Sequence, residues 1–90
     1  TFRSEDKGSM NEVTGHRRED ESAPSTYQPG DFGRWRTRWY AMTPSGMVAG
    51  LSDHTVTEHE DGTISVTPSI LVNDGQKDWH GFLKHGVWRY

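Results

Sequence analysis

The chain contains no cysteine, which excludes disulfide bonds, a thiolate nucleophile and a cysteine-ligated zinc site. No apolar run approaches the roughly 20 residues that a transmembrane helix requires, and no secretory signal segment is recognisable. We therefore expect a cytoplasmic protein that makes no use of a membrane. No stretch keeps the 3.6-residue apolar period of a helix over three turns, which favours β-structure.

Apolar side chains are scarce in residues 1–31, which hold five of them. The same segment contains four basic and seven acidic residues and so carries the whole net charge of −3. Such a composition does not offset the roughly 1–2 kcal/mol per residue that ordering the backbone costs. We predict a flexible acidic tail over residues 1–31 and one small β domain over residues 32–90. The alternative is an arm that orders against a partner.

The clearest pattern follows Asp61-Gly62, a dipeptide typical of a two-residue type I′ hairpin turn. After this turn, apolar and hydroxyl residues alternate with the two-residue period of a half-buried strand. The apolar face holds Ile64, Val66, Ile70 and Val72, and the polar face holds Thr63, Ser65, Thr67 and Ser69. Pro68 has no N–H for a strand ladder and predicts an edge or a bulge.

Turn residues separate several short segments of this kind, which is typical of an antiparallel meander. We predict strands at residues 34–40, 47–51, 54–59, 63–72, 78–83 and 87–90. The predicted fold class is therefore all-β, a small barrel-like or sandwich arrangement of five to six strands. We expect the strand at residues 87–90 to form an open edge, which favours a homodimer.

The segment at residues 34–40 alternates charged and aromatic residues. On a strand it places Arg34, Arg36, Arg38 and Tyr40 on one face and Trp35, Thr37 and Trp39 on the other. A basic face with an aromatic ring is typical of a protein-binding surface or of a strand that follows single-stranded nucleic acid. It is also typical of a solvated face that discourages edge pairing. Our predicted binding residues are these three arginines, Tyr40, and exposed Trp79 and Trp88.

The predicted hairpin sets a register between residues 54–60 and 63–69, because directly opposed residues share one face. If Asp61 and Gly62 are the two loop residues, the pairs are Glu60 with Thr63, Glu58 with Ser65, Val56 with Thr67 and His54 with Ser69.

Ser69 is the candidate nucleophile in an alternative hypothesis, a serine-type hydrolase. A histidine within hydrogen-bonding distance of a serine can act as its general base, and the candidate bases are His80 and His54. A third group must orient the base, and Asp78 or Glu58 can serve. The competing interpretation is a polar outer face on which serine and threonine simply favour β-structure.

A metal site is not expected. His54 and His59 are five residues apart, as are His80 and His85, and odd spacing on a strand sends two rings to opposite faces. Without cysteine, a zinc site needs histidines from separate strands and a carboxylate. We predict no metal and no cofactor.

Three segments resemble a family of small bacterial and phage or prophage domains: residues 61–70, Trp79-His80-Gly81-Phe82 and Gly86-Val87-Trp88. The resemblance covers roughly residues 35–90, and its most distinctive pieces are the Pro-Ser-Ile and His-Gly steps. It implies a phage-type accessory protein with hydrolase ancestry, and Ser69 and His80 match the shared pattern. Distant relatives carry Cys-x-x-Cys metal ligands, which this cysteine-free chain lacks.

From these observations we favour a non-enzymatic protein-interaction domain. So small a core leaves little room for a ligand cavity, which usually needs about 300 Å³ or more. The hydrolase using Ser69 and His80 and the nucleic-acid-binding strand at residues 34–38 stay open as alternatives.

Overall fold

The computed structural model describes residues 11–20, 22–73, 75, 76 and 78–90. They form two β-sheets that share one hydrophobic core, which confirms the predicted all-β class in its sandwich form. The strands are β1 (Glu12–Thr14), β2 (His16–Arg18), β3 (Asp31–Trp35), β4 (Arg38–Met42), β5 (Val48–Gly50), β6 (Thr55–Glu58), β7 (Ile64–Asn73), β8 (Asp78–Lys84) and β9 (Val87–Arg89). A 3₁₀ turn at Pro24–Thr26 precedes β3.

Sheet A has the strand order β1-β9-β8-β7-β6, and sheet B has the order β2-β3-β4-β5. Every pairing is antiparallel except that of β2 with β3, which is parallel. The two sheets do not close into one barrel. Within the described part of the chain, no helix is long and apolar enough to cross a membrane.

The apolar face predicted for β7 packs into the core. Ile64, Val66 and Ile70 are buried, while Val72 is half-buried at the edge of the core. Burying an aliphatic side chain of this size stabilises the fold by about 1.5–3 kcal/mol. The pairing of β7 with β8 shifts register between Val66 and Ile70, so Pro68 lies at the predicted bulge.

The prediction that Trp79 and Trp88 are exposed is wrong. Trp79 is 9% exposed and Trp88 is 0% exposed, and their rings meet edge to face with centroids 5.6 Å apart. In so small a core, large aromatic rings supply much of the buried area, so neither indole is available to a partner.

The structure also differs from the predicted tail over residues 11–31. β1 pairs with β9 and β2 pairs with β3, and Tyr27 is buried. Pairing with existing sheet edges satisfies backbone polar groups, so a segment with few apolar residues is ordered by its ladders. Because β9 lies between β1 and β8, it is not the open edge expected for residues 87–90. Residues 1–10 of the predicted tail lie outside the described residues.

The chain passes from sheet A to sheet B at Gly15. A Cβ atom there would lie 2.7 Å from the Gly30 oxygen and 3.0 Å from both the Gly86 oxygen and Trp88 Nε1. The Trp88 indole N–H donates a buried hydrogen bond of 2.8 Å to the Gly30 carbonyl. The Gly15 N–H donates to the Gly86 carbonyl at 2.7 Å. This close approach leaves no room for a side chain at residue 15.

The predicted continuous strand at residues 34–40 is wrong, because β3 ends at Trp35 and β4 begins at Arg38. Arg36 and Thr37 form the turn between them with φ of 53° and 68°, as a two-residue type I′ turn requires. Because the chain reverses here, residues 34–40 do not share the two faces of one strand. Instead, Arg34 lies opposite Trp39, and Trp35 lies opposite Arg38.

The predicted register of the β6–β7 hairpin is wrong by one residue. The His59 N–H donates to the Thr63 carbonyl at 2.8 Å, so residues 60–62 form a three-residue loop that ends at Gly62 with φ of 89°. The Asp61 carboxylate accepts the N–H and the hydroxyl of Thr63, which favours this loop and lowers the pKa of Asp61. The observed pairs are Thr55 with Thr67, Val56 with Val66, Thr57 with Ser65 and Glu58 with Ile64.

Replacing Gly15 with alanine tests the crossing between the sheets. The new Cβ would press on backbone oxygen atoms that cannot move independently, so Gly15→Ala is expected to destabilise the protein by about 1–3 kcal/mol. The matched control is Gly50→Ala, where the nearest atom to an added Cβ is 3.7 Å away, an ordinary contact. Urea unfolding measures both. Equal stability of the two variants would refute the close-packed crossing.

Candidate functional site

An open cavity of about 330 Å³ lies beside the β3–β4 turn, and we call it the arginine cavity. Its lining comes from β2, the residues that follow β2, the end of β3 and the turn. The lining residues are Arg17, Arg18, Glu19, Asp20, Arg34, Arg36 and Thr37. The cavity exceeds the volume that we expected so small a domain to enclose, because it forms at the rim of sheet B and not inside the core.

Aromatic rings contact all four arginines of the lining, and the guanidinium carbon of Arg18 lies 5.2 Å from the ring centroid of Tyr27. The guanidinium carbons of Arg17 and Arg34 lie 5.3 and 5.7 Å from the ring centroid of Trp39. The guanidinium of Arg36 lies 4.6 Å from the ring centroid of Trp35. Each such cation–π contact contributes about 0.5–1 kcal/mol at an exposed site and limits the motion of the long side chain.

Two of the cavity arginines also pair with carboxylates. Arg17 Nη1 lies 2.7 Å from Glu58 Oε2. Arg18 lies 3.3 Å from the Asp20 carboxylate and 3.4 Å from the buried Asp31 carboxylate. These ion pairs join β2 to β6 of sheet A through Glu58 and to its neighbour β3 through Asp31.

Arg34, Arg36 and Arg38 make no ion pair with any described residue, and all three are exposed. They are the arginines predicted as binding residues, although the turn separates them from the single face we expected. Tyr40 is half-buried, with its ring 5.9 Å from that of Trp35. Three arginines at this surface therefore have no ion-pair partner within the described part of the chain.

The arginine cavity already accommodates one carboxylate of the chain itself. Asp20 accepts a hydrogen bond of 2.6 Å from the Ser22 hydroxyl and another from Arg18. These hydrogen bonds, first that of Ser22 and then that of Arg18, lower the pKa of Asp20. Ser22 and Arg18 together thus stabilise a carboxylate at this surface.

The turn that projects Arg36 into the cavity has a strained backbone. Left-handed φ is common for glycine and asparagine, but it is an outlier for a β-branched residue such as Thr37. Such strain costs of order 1–3 kcal/mol and is concentrated at functional sites.

Sequence reasoning missed Arg17 and Arg18, because they lie in the segment predicted to be a flexible tail. The adjacent Arg17-Arg18 pair was the available signal, but nothing in the local sequence places it beside residues 34–36. The parallel pairing of β2 with β3, Arg17 opposite Phe32 and Arg18 opposite Gly33, brings them together.

Ser69 and His80 do meet on the outer face of sheet A. Ser69 Oγ lies 2.7 Å from His80 Nε2, whereas His54 Nε2 lies 3.2 Å from the Ser69 carbonyl oxygen and does not contact the hydroxyl. The proposed orienting groups are engaged elsewhere: Asp78 accepts a hydrogen bond from Asn73, and Glu58 pairs with Arg17. Among the residues that the structure describes, the arrangement is a serine–histidine dyad to which neither Asp78 nor Glu58 adds a third member.

A second serine–histidine contact, not singled out from the sequence, lies on the same strand. Ser65 Oγ is 2.7 Å from His59 Nε2 and accepts the His85 N–H at 2.9 Å. The rings of His59 and His85 are stacked with centroids 3.9 Å apart. Each serine therefore lies beside one histidine from each five-apart pair: His59 and His85 at Ser65, and His54 and His80 at Ser69.

Exposed apolar side chains flank the Ser69–His80 dyad. Leu71 is 64% exposed and lies opposite His80, and Phe82 is 46% exposed with its ring 5.7 Å from the imidazole. Over the described ranges, no group of three or more histidine, aspartate or glutamate side chains is placed to hold a metal ion.

Comparisons of the chain with protein-family models, with curated proteins and with solved structures find no match. The candidate sites are therefore compared on their geometry alone.

Strain at the β3–β4 turn predicts that Thr37→Gly stabilises the protein by about 1 kcal/mol, because glycine adopts positive φ without steric cost. The matched control is Thr57→Gly in the regular strand β6, which is expected to destabilise by about 1 kcal/mol. Thermal unfolding followed by circular dichroism measures both. A loss of stability in Thr37→Gly would show that the turn is not strained.

Proposed function

We propose that this chain is a non-enzymatic binding domain that recognises a carboxylate-rich segment of a protein partner at the arginine cavity. The observation that carries the proposal is that Arg34 and Arg36 are held on tryptophan rings beside an open cavity and form no ion pair with any residue that the structure describes. Charge-assisted hydrogen bonds from arginine to carboxylate are stronger than neutral ones and often bidentate.

Pre-organisation supports this assignment. A flexible arginine loses side-chain entropy when it binds, whereas a guanidinium already stacked on an indole loses less. The strained turn at Arg36 and Thr37 is consistent with the same role, because it keeps Arg36 at the cavity despite its conformational cost.

A carboxylate ligand is favoured over single-stranded nucleic acid for two reasons. Base recognition uses exposed aromatic faces, but the rings of Trp35 and Trp39 already carry guanidinium groups. In addition, Arg18 in the cavity lining already forms a hydrogen bond to the Asp20 carboxylate. Nucleic acid stays an outcome that the binding experiment distinguishes.

The binding test uses a fluorescein-labelled peptide of alternating glutamate and serine, with a lysine–serine peptide and oligothymidine for comparison. We expect polarisation to report salt-dependent binding of the glutamate peptide alone. The double variant Arg34→Gln/Arg36→Gln should weaken it at least about tenfold, because each charged hydrogen bond contributes about 1.5–3 kcal/mol.

The matched control is Arg89→Gln, which removes an exposed arginine that pairs with Glu12 at 2.9 Å in sheet A. It should bind the peptide as the unaltered protein does. Equal binding by the double variant would overturn the proposal, and binding of oligothymidine alone would favour the nucleic-acid alternative.

A second candidate function is a serine-type hydrolase, favoured by the 2.7 Å contact between Ser69 and His80. The histidine would take the hydroxyl proton as Ser69 attacks the acyl carbon of an ester or amide, and would return it to the alcohol or amine that leaves as its bond to that carbon breaks. Leu71 and Phe82 offer an apolar surface for the acyl chain. The candidate is weakened because the two acids expected to orient His80, Asp78 and Glu58, pair with Asn73 and Arg17 instead. The equivalent contact at Ser65 weakens it further, because it shows that such a pair forms on this sheet outside the predicted site.

A fluorophosphonate probe separates the two candidates, because it labels activated serines covalently. The binding-domain proposal predicts no labelling, and it predicts that Ser69→Ala leaves peptide binding unchanged. Peptide mapping by mass spectrometry checks the result. Labelling of Ser69 but not of Ser65 would establish the hydrolase, and Ser65 thus serves as an internal control.

Further parts of the proposal rest on the family resemblance and on composition. We place the domain in the cytoplasm as an accessory protein of phage or prophage type. Pairing of two copies through an edge strand is a further hypothesis, which sedimentation analysis tests directly.

A further inference from the structure

A second open cavity, of about 440 Å³, adjoins the arginine cavity at Thr37, which lines both. It lies where the open side of sheet B meets the beginning of β6. The lining residues are Thr37, Arg38, Trp39, Leu51, Ser52, His54 and Val56.

The chemistry of this second cavity differs from that of the arginine cavity. Trp39, Leu51 and Val56 supply an apolar wall, and Arg38 is the one arginine in the lining. Arg38 makes no ion pair within the described residues. An apolar wall, with Thr37, Ser52, His54 and one guanidinium completing the lining, fits an apolar side chain that is followed or preceded by a carboxylate.

We propose that the second cavity binds an apolar side chain of the same partner, close to the acidic residues that bind in the arginine cavity. This inference rests on the proposed function and adds the sequence character of the partner, an acidic segment interrupted by a leucine-like residue. Thr37 lies between the two cavities, so one extended segment that crosses the β3–β4 turn reaches both.

Charge complementarity favours an apolar side chain with an acidic neighbour over a purely apolar ligand. A neutral apolar ligand would leave Arg38 unpaired, whereas an acidic neighbour of the apolar side chain provides the missing carboxylate. Trp39 contributes to both halves of the surface, since its ring carries Arg17 and Arg34 and its side chain also lines the second cavity.

The experiment compares the glutamate–serine peptide with a series in which one serine is replaced by leucine at successive positions. We expect at least one leucine peptide to bind about tenfold more tightly, as expected from burial of an aliphatic side chain. Ser52→Trp, which fills the second cavity from its exposed rim, should abolish the gain and leave binding of the glutamate–serine peptide unchanged.

Two controls check that the leucine side chain binds in the second cavity. Ser45→Trp adds the same bulk to an exposed turn that lines neither cavity and should retain the leucine gain. Independently of any variant, nuclear Overhauser effects are expected between the peptide leucine methyl groups and protons of Trp39 and Val56.

The outcomes separate the two proposals. Equal binding of all leucine peptides and the parent peptide would overturn the second cavity's role and leave the arginine cavity in place. Absence of binding by every acidic peptide would overturn the proposed function itself. A leucine gain that persists in Ser52→Trp, without contacts to Val56, would place the leucine elsewhere and overturn the inference.

Discussion

The buried hydrogen bond from the Trp88 indole to the Gly30 carbonyl joins the two sheets where the N-terminal chain passes between them. Trp88 belongs to sheet A, and Gly30 immediately precedes β3 of sheet B. Because Gly15 has no side chain, the backbone passes against both groups and continues into β2. The position of Arg17 and Arg18 beside β3 therefore depends on packing around a core tryptophan that is more than 60 residues away in sequence.

The arginine cavity is held rigid, and part of that rigidity has an energetic cost. Indole rings restrict the arginines, and a turn without glycine or asparagine holds Arg36 in place. A domain of this size has little net stability, so strain of about 1–3 kcal/mol at one turn is a substantial fraction of it. Retaining that strain is physically reasonable if the turn contributes to recognition.

The sequence predicted those features that depend on periodicity alone. Alternation in residues 63–72 identified the buried face of β7, because Ile64, Val66 and Ile70 keep the same face whatever their partners. The register of the β6–β7 hairpin was not predictable, because it depends on the three-residue loop that the Asp61 carboxylate closes. The turn at residues 36–37 lacks the expected glycine, and β1 and β2 depend on sheet edges formed by distant residues. Ser69 and His80 were candidate partners within the hydrolase hypothesis, with their adjacency left open. The wrong register accounts for the failure to place Ser65 beside His59.

The pairing of β1 with β9 also determines when this fold is completed. Asn11 and Tyr90 exchange two backbone hydrogen bonds, of 2.9 and 3.0 Å, so this ladder joins segments from opposite ends of the described chain. Synthesis proceeds from the N-terminus, and closing so long a loop has an entropic cost that grows with the logarithm of its length. Strand β1 therefore stays hydrated and unpaired until residues 87–89 have left the ribosome. Sheet A is completed only after translation of this region has finished.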